Sequence, residues 1–156
     1  MSPASVRPSV SRRPASRRRT GALVGAVALG VGVGLLGTVL HLQLWAPTGT
    51  WTLPWGAALA LVLVGSTQLW WSRRVAWPVA GGLLGAVAFT AAWALQLLPG
   101  HDDLGLPWHA RLLEVLPGAM LASGLWLLGL PLVVVSVLVV AGREHRRRPR
   151  AVPVAE

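Results

Sequence analysis

The sequence predicts an all-α fold, an integral membrane antiparallel bundle of four transmembrane helices, and three observations lead to it. The chain of 156 residues is 54% hydrophobic and only 12% charged, whereas a soluble domain devotes about a quarter of its residues to charge. Four of its segments have the length and apolar character that crossing a bilayer requires, about 20 residues each. Arginines and tryptophans gather where these segments end.

The four predicted spans follow one another along the chain and contain no Asp, Glu, Lys or Arg. They cover residues 21–44, 53–71, 75–98 and 116–141. Because short loops join neighbouring antiparallel helices, successive spans are expected to pack side by side. Most tryptophans lie at the boundaries, where an apolar ring with one polar N–H prefers the headgroup level. Trp126 lies well inside the fourth span and is expected to pack or to face lipid.

The arginines predict the orientation of the bundle. All 14 basic residues are arginine, and 13 of them fall on one side of the predicted membrane, with Arg111 alone on the other. Because translocating a positively charged short loop is disfavoured, both termini are expected in the cytoplasm of a multi-pass protein of the plasma membrane. Residues 1–20, rich in Ser, Pro and Arg, are predicted to form a disordered basic tail, and residues 142–156 a second basic cytoplasmic tail.

The charge also bears on partners. A net charge of +9 would suggest nucleic acid in a soluble protein, but here the arginines flank apolar spans, so nucleic acid is not a predicted partner. The predicted partner is a lipid bilayer with anionic headgroups, because each arginine near such a leaflet adds about 1 kcal/mol of attraction. For the arginine clusters themselves, a role in fixing topology alone is the favoured interpretation, and specific headgroup contact is the alternative. The candidates for headgroup contact after the last span are Arg143, Arg146, Arg147, Arg148 and Arg150.

Small residues spaced four apart predict close helix packing. Glycine at this spacing leaves a shallow groove in which two helix backbones approach each other. Packing within the chain's own bundle is the favoured interpretation. The alternative is contact with a membrane protein partner, or a homo-oligomer formed through the glycine-rich first helix. The pairs are Gly21 and Gly25, Gly30 and Gly34, and Gly81 and Gly85.

The third loop holds the residues that most resemble metal ligands. His101, Asp102, Asp103 and His109 supply imidazole and carboxylate groups, which suit zinc. They show no established ligand spacing, however, and a solvated turn explains them equally well. The chain has no cysteine, which excludes thiolate sites and disulfides. No catalytic residue, metal or cofactor is therefore predicted.

Several classes of function require chemical groups that the predicted spans lack. Ion-coupled transporters usually keep an ionisable residue inside their spans, and this chain keeps no Asp, Glu, Lys or Arg there. No facing pair of haem ligands, catalytic triad or phosphate-binding glycine loop occurs. The favoured function is a non-catalytic structural, accessory or assembly component acting through helix contacts. The alternatives are a small transporter or permease-like subunit and, less favoured, a membrane enzyme with an outer-face His/Asp site.

One further likeness comes from the layout of the chain. A basic start leads into a glycine-rich first span that includes residues 34–40, and a short Pro/Gly/Trp loop follows before Pro54-Trp55-Gly56. In this the chain resembles a family of small, uncharacterised four-helix integral membrane proteins of high-GC Gram-positive bacteria. The resemblance covers residues 21–141 and implies a membrane protein without implying any functional residue.

Overall fold

The described part of the chain is helical throughout its regular structure. A computed structural model describes residues 15–44, 53–97 and 117–147, and these form four helices. The all-α prediction is thereby confirmed. The helices are α1 (Ala15–Leu40), α2 (Trp55–Arg74), α3 (Pro78–Leu97) and α4 (Pro117–Arg147).

Two helices extend beyond their predicted spans into the basic tails. α1 begins at Ala15, so the prediction of a disordered tail is wrong for residues 15–20. α4 continues to Arg147, so the first part of the carboxy-terminal tail is also helical. Arginine is a good helix former in both segments, and at the carboxy-terminal end of α4 basic side chains also interact favourably with the helix dipole. Helix formation therefore continues where the apolar character has ended.

Three of the four helices are long and apolar enough to cross a membrane. They are α1, α3 and α4, with stretches at Ser16–Leu40, Pro78–Gln96 and Pro117–Arg147. α2 has 20 residues but is not among them, because its second half carries polar residues such as Thr67 and Gln68. Length and composition thus support three of the four predicted spans directly.

The helices alternate in direction. Gly30 and Gly34 of α1 face Leu84 and Ala88 of α3, so these two helices run parallel. α2 and α4 run the opposite way, with α2 beside all three of the others and its largest contact on α4. Within the described residues, the backbones of α1 and α4 do not meet. The start of α1, the α2–α3 turn and the end of α4 share one end of the bundle, which we call the basic end.

The interior is built of small residues, and the large apolar side chains lie outside. Most buried apolar residues are alanines, while the exposed large apolar residues are leucines, valines and tryptophans. Large buried side chains are few and concentrate around Trp126 and Leu130 of α4. A soluble protein places its leucines inside, whereas helices packed in lipid approach through small residues. The distribution is therefore typical of helices that pack against one another in lipid.

Candidate functional site

The glycine pairs occupy three kinds of environment. A Cβ placed on Gly30 would lie 2.6 Å from the Leu84 carbonyl oxygen, and one on Gly34 would lie 2.6 Å from that of Ala88. These two glycines are therefore points where α1 touches the backbone of α3. Gly32, on the same helix, has nothing within 4 Å of its Cβ position. The glycines of α1 thus do not form one common face for self-association.

The remaining glycines of the predicted pairs meet side chains or open space. A Cβ on Gly25 would lie 2.6 Å from the Trp71 ring, and one on Gly85 would lie 2.7 Å from Val134. At Gly81 it would overlap the Ser72 hydroxyl, whereas at Gly21 it would meet nothing within 4 Å.

The other predicted site residues divide between the basic end and the undescribed part of the chain. Arg143, Arg146 and Arg147 are exposed on the last turns of α4. Arg148 and Arg150 lie outside the described residues, as do the metal candidates His101, Asp102, Asp103 and His109. Within residues 15–44, 53–97 and 117–147, no three His, Asp or Glu side chains come together as metal ligands.

A buried aromatic pair lies at the end of the bundle opposite the basic end. The rings of His41 and Trp126 are stacked, with centroids 5.9 Å apart and planes inclined by 20°. Both side chains are fully buried. A Cβ on Gly37 would lie 2.5 Å from the Trp126 ring, so the indole reaches α1 from α4. Trp126 therefore fills the space between two helices whose backbones do not meet.

Polar atoms accompany this pair. The Nδ1 atom of His41 is 2.5 Å from the Thr38 carbonyl oxygen. Because a carbonyl only accepts, Nδ1 carries a proton in this arrangement. The His41 Nε2, Trp126 Nε1 and Ser123 Oγ atoms are buried with no hydrogen-bond partner among the described residues. These are three of the four buried polar atoms without a partner among the described residues; the fourth is Gln68 Oε1.

A second buried polar cluster joins α2, α3 and α4. The Gln68 Nε2 group donates to the Val134 carbonyl oxygen at 3.1 Å, and the Ser72 hydroxyl donates to the Gln68 carbonyl oxygen at 2.8 Å. Gly81 and Gly85 of α3 leave room for these side chains. The polar residues that lower the apolar character of α2 are therefore partly held inside the bundle.

An ion pair links α2 to α4 at the basic end. Arg73 Nη2 lies 2.6 Å from Glu144 Oε1, and Arg73 Nε donates to Glu144 Oε2 at 3.0 Å. This carboxylate raises the pKa of Arg73, first through the hydrogen bond and then through charge attraction. A pKa that folding raises stabilises the folded protein at every pH below the pKa of the unfolded chain. This stabilisation is lost only as the pH rises through the pKa of the folded protein. For arginine that window lies far above neutrality.

Replacing Glu144 with glutamine should lower thermal stability only slightly. The pair is half exposed, at 53% and 39% for the two side chains, and exposed ion pairs are weakened by water and salt. The measurement is the melting temperature of purified protein in neutral detergent at low and high salt. The difference between wild type and Glu144→Gln should shrink at high salt, and a large salt-independent loss would contradict a solvent-exposed pair.

No known protein family, curated protein or solved structure matches the chain. The resemblance to small four-helix membrane proteins of high-GC bacteria therefore stays a prediction, and the function is argued from the geometry of this chain alone.

Several structurally important residues carried no sequence signal of their own. Glu144 lies among arginines in the carboxy-terminal region, and only the parallel packing of α2 and α4 brings it to Arg73. In the sequence, Gln68 is a lone polar residue that lowers the apolar character of a span. Only the structure shows its hydrogen bond to α4. The position of Trp126 inside its span was the one available signal, and it left packing and lipid exposure equally open.

Proposed function

We propose that the chain is a non-catalytic component of a cell membrane that crosses it four times, with both termini in the cytoplasm, and acts through contacts between helices. The observation that carries the proposal is the inverted distribution of side chains. Small residues pack the interior, and large apolar residues cover the outside. Such a surface is stable only against lipid or against other apolar helices.

The assignment of α2 as a fourth span is supported by its outward side. Trp55 and Trp70 are 43% and 52% exposed and lie 15 residues apart, about 22 Å along a helix. Between them the exposed side chains include Leu59 and Val62, while Gln68 is buried against α4. An apolar band between two interfacial tryptophans is what a membrane helix presents to lipid.

Reporter fusions test the four-span arrangement. Reporters active on one side of the membrane are placed after Gly49, Arg74, Gly105 and Glu156. If α2 crosses, Gly49 and Arg74 report from opposite sides, with Arg74 and Glu156 in the cytoplasm. If Gly49 and Arg74 report from the same side, α2 does not cross and the four-span proposal is wrong.

The exposed face of α4 is the part of the surface that we assign to helix contacts. Its large apolar residues recur at alternating intervals of four and three, a spacing that builds a continuous seam along a helix. They are 41–68% exposed and comprise Leu121, Leu125, Leu128, Leu132, Val135 and Val139.

Site-specific photo-crosslinking tests this assignment in living cells. A photoreactive amino acid at Leu128 or Leu132 should give a discrete crosslinked product that copurifies in mild detergent. The matched control is Leu130, which is 1% exposed and faces the chain's own core. Crosslinks only to lipid from Leu128 and Leu132, with the chain always recovered alone, would contradict a role as an assembly component.

One observation favours a second candidate, a small transporter. The unpaired polar atoms of His41, Ser123 and Trp126 are the kind of groups that line a path for a polar solute. Of these three residues, Ser123 is 5% exposed and is the one that cysteine replaces with the smallest change in shape, so a cysteine there reports on the interior. Ser66 and Thr90 are exposed on the outside of the bundle and do not report on it.

A cysteine at Ser123 should stay unreactive towards a charged, membrane-impermeant thiol reagent if the protein is a packed assembly component. The chain has no native cysteine, so labelling is read without background. Rapid labelling of Ser123→Cys in intact cells would show a water path into the bundle and would favour the transporter.

A further inference from the structure

A cleft opens at the basic end between the start of α1 and the end of α2. Its volume is about 500 Å³, within the range of about 300–1,000 Å³ that small-molecule sites occupy. Arg18 and Arg19 of α1 and Arg74 of α2 line it, with Trp71 and Trp77 beside them. Two helices and the turn that follows α2 therefore contribute to one concave surface.

The cleft is electropositive. Three guanidinium groups line it, and none of the described residues around it is acidic. The nearby carboxylate of Glu144 is bonded to Arg73, on the side of α2 that faces α4. Arginines contributed by two helices to one cleft favour an anion, and a planar guanidinium pairs with a phosphate through two parallel hydrogen bonds.

The walls of the cleft are held in place by specific contacts. The Trp71 Nε1 group donates to the Ala22 carbonyl oxygen at 3.3 Å, which ties α2 to α1. Gly25 has no side chain, and the Trp71 ring occupies the space that a Cβ would take. Ala76 adopts a φ of 50°, the left-handed conformation of a tight turn. The Arg74 guanidinium lies 5.6 Å from the centre of the Trp70 ring.

An apolar track leaves the cleft along α1. Gly21 lines the cleft, and Val24 and Val31 follow on the same side of the helix, one and three turns further on. Val24 is 64% exposed and Val31 39% exposed. A ligand with a charged head and an apolar chain would place the head among the arginines and the chain along this track. A free phosphate ion would occupy only the position among the arginines and would not contact the apolar track.

We propose that this cleft binds the phosphate headgroup of an anionic phospholipid, with an acyl chain lying along α1. The inference rests on the proposed insertion of the chain in a membrane, because that insertion places the basic end at headgroup level. It differs from a general attraction of basic tails to an anionic leaflet, since it assigns the headgroup to one cleft and names its residues.

The experiment measures lipid binding to the purified full-length protein in neutral detergent by native mass spectrometry. The probe is dioctanoyl phosphatidylglycerol, with dioctanoyl phosphatidylcholine as the neutral comparison. The triple variant Arg18→Gln/Arg19→Gln/Arg74→Gln should weaken phosphatidylglycerol binding by about tenfold or more. The triple variant Arg143→Gln/Arg146→Gln/Arg147→Gln removes the same charge from α4 and should weaken it far less.

Three outcomes overturn the proposal. An equal loss in both triple variants shows that total charge, not the cleft, holds the lipid. Equal binding of phosphatidylcholine shows that the anionic headgroup is not recognised. Inorganic phosphate that displaces phosphatidylglycerol completely shows that the ligand is soluble phosphate and not a lipid.

A pair of glycine variants tests the same cleft without changing charge. Nothing lies within 4 Å of a Cβ at Gly21 or at Gly142, but only Gly21 lines the cleft, and Gly142 lies on α4, away from the track on α1. Gly21→Leu should weaken phosphatidylglycerol binding by about tenfold, the effect of losing roughly 1.4 kcal/mol, and Gly142→Leu should not change it. Equal behaviour of the two variants overturns the proposal.

Failure of this inference is distinguishable from failure of the proposed function. Extraction of cell membranes with alkaline carbonate reports insertion independently of lipid binding. A protein that resists extraction but shows no difference between the cleft variants and their comparisons retains the proposed function and lacks the cleft site. A protein that alkaline carbonate extracts is not inserted in the membrane, and that result contradicts the proposed function itself.

Discussion

A valine at Gly34 is expected to separate α1 from α3 and to lower the free energy of unfolding by about 3 kcal/mol. Its Cβ would lie 2.6 Å from the Ala88 carbonyl oxygen and 3.0 Å from the Ala88 Cα atom. Backbone atoms cannot rotate away as a flexible side chain can, so the helices themselves must move apart. The measurement is equilibrium unfolding in mixed micelles of a neutral detergent and dodecyl sulfate, followed by circular dichroism.

The matched control is Gly32→Val on the same helix. Gly32 is exposed and its Cβ position is open, and substitutions at such sites usually change stability by less than about 0.5 kcal/mol. Gly32→Val also corrects for the change in helix propensity and in apolar surface. If the two variants unfold alike, α1 does not approach α3 through Gly34 and the packing described for these helices is wrong.

Replacing Trp126 with alanine is expected to cost about 3–5 kcal/mol, the range for removing a buried large aromatic side chain. The indole is fully buried, stacks on His41 and occupies the space left by Gly37. Because the backbones of α1 and α4 do not meet, neighbouring atoms have little means of closing the cavity. The same unfolding measurement in mixed micelles reports the loss.

Trp55→Ala serves as the control for Trp126→Ala. Trp55 is 43% exposed at the start of α2, so its removal leaves no enclosed cavity. The expected loss is well below that of Trp126→Ala. A Trp126→Ala protein as stable as the Trp55→Ala protein would show that the indole does not join α1 to α4.

Much of the fold follows from local properties of the sequence. Long uncharged apolar segments predict helices because only helices satisfy every backbone group within one segment in lipid. The boundaries were less accurate, because apolarity marks where a helix can meet lipid rather than where its hydrogen bonds end. α1 therefore begins at Ala15 and α4 continues to Arg147.

The packing of the interior was less predictable, because it depends on contacts between residues that are distant in sequence. Gly30 and Gly32 look alike in the sequence, yet one touches the α3 backbone and the other faces outward. A difference of two residues rotates a side chain by about 200° around a helix, and only the rotation of α1 against α3 decides which glycine is inside. The pairing of Arg73 with Glu144, 71 positions away, likewise depends on which helices are neighbours.

The sequence by itself determined the helical class, the apolar character of three candidate spans and the concentration of arginine at one set of loops and ends. These properties depend on residues close together in the chain and on their transfer between water and an apolar phase. The tertiary structure alone decided that Trp126 joins α1 to α4, that Gln68 is held inside, and that Arg18, Arg19 and Arg74 share a cleft. Such contacts join residues distant in sequence, and they depend on the order and rotation of packed helices, which local composition does not specify.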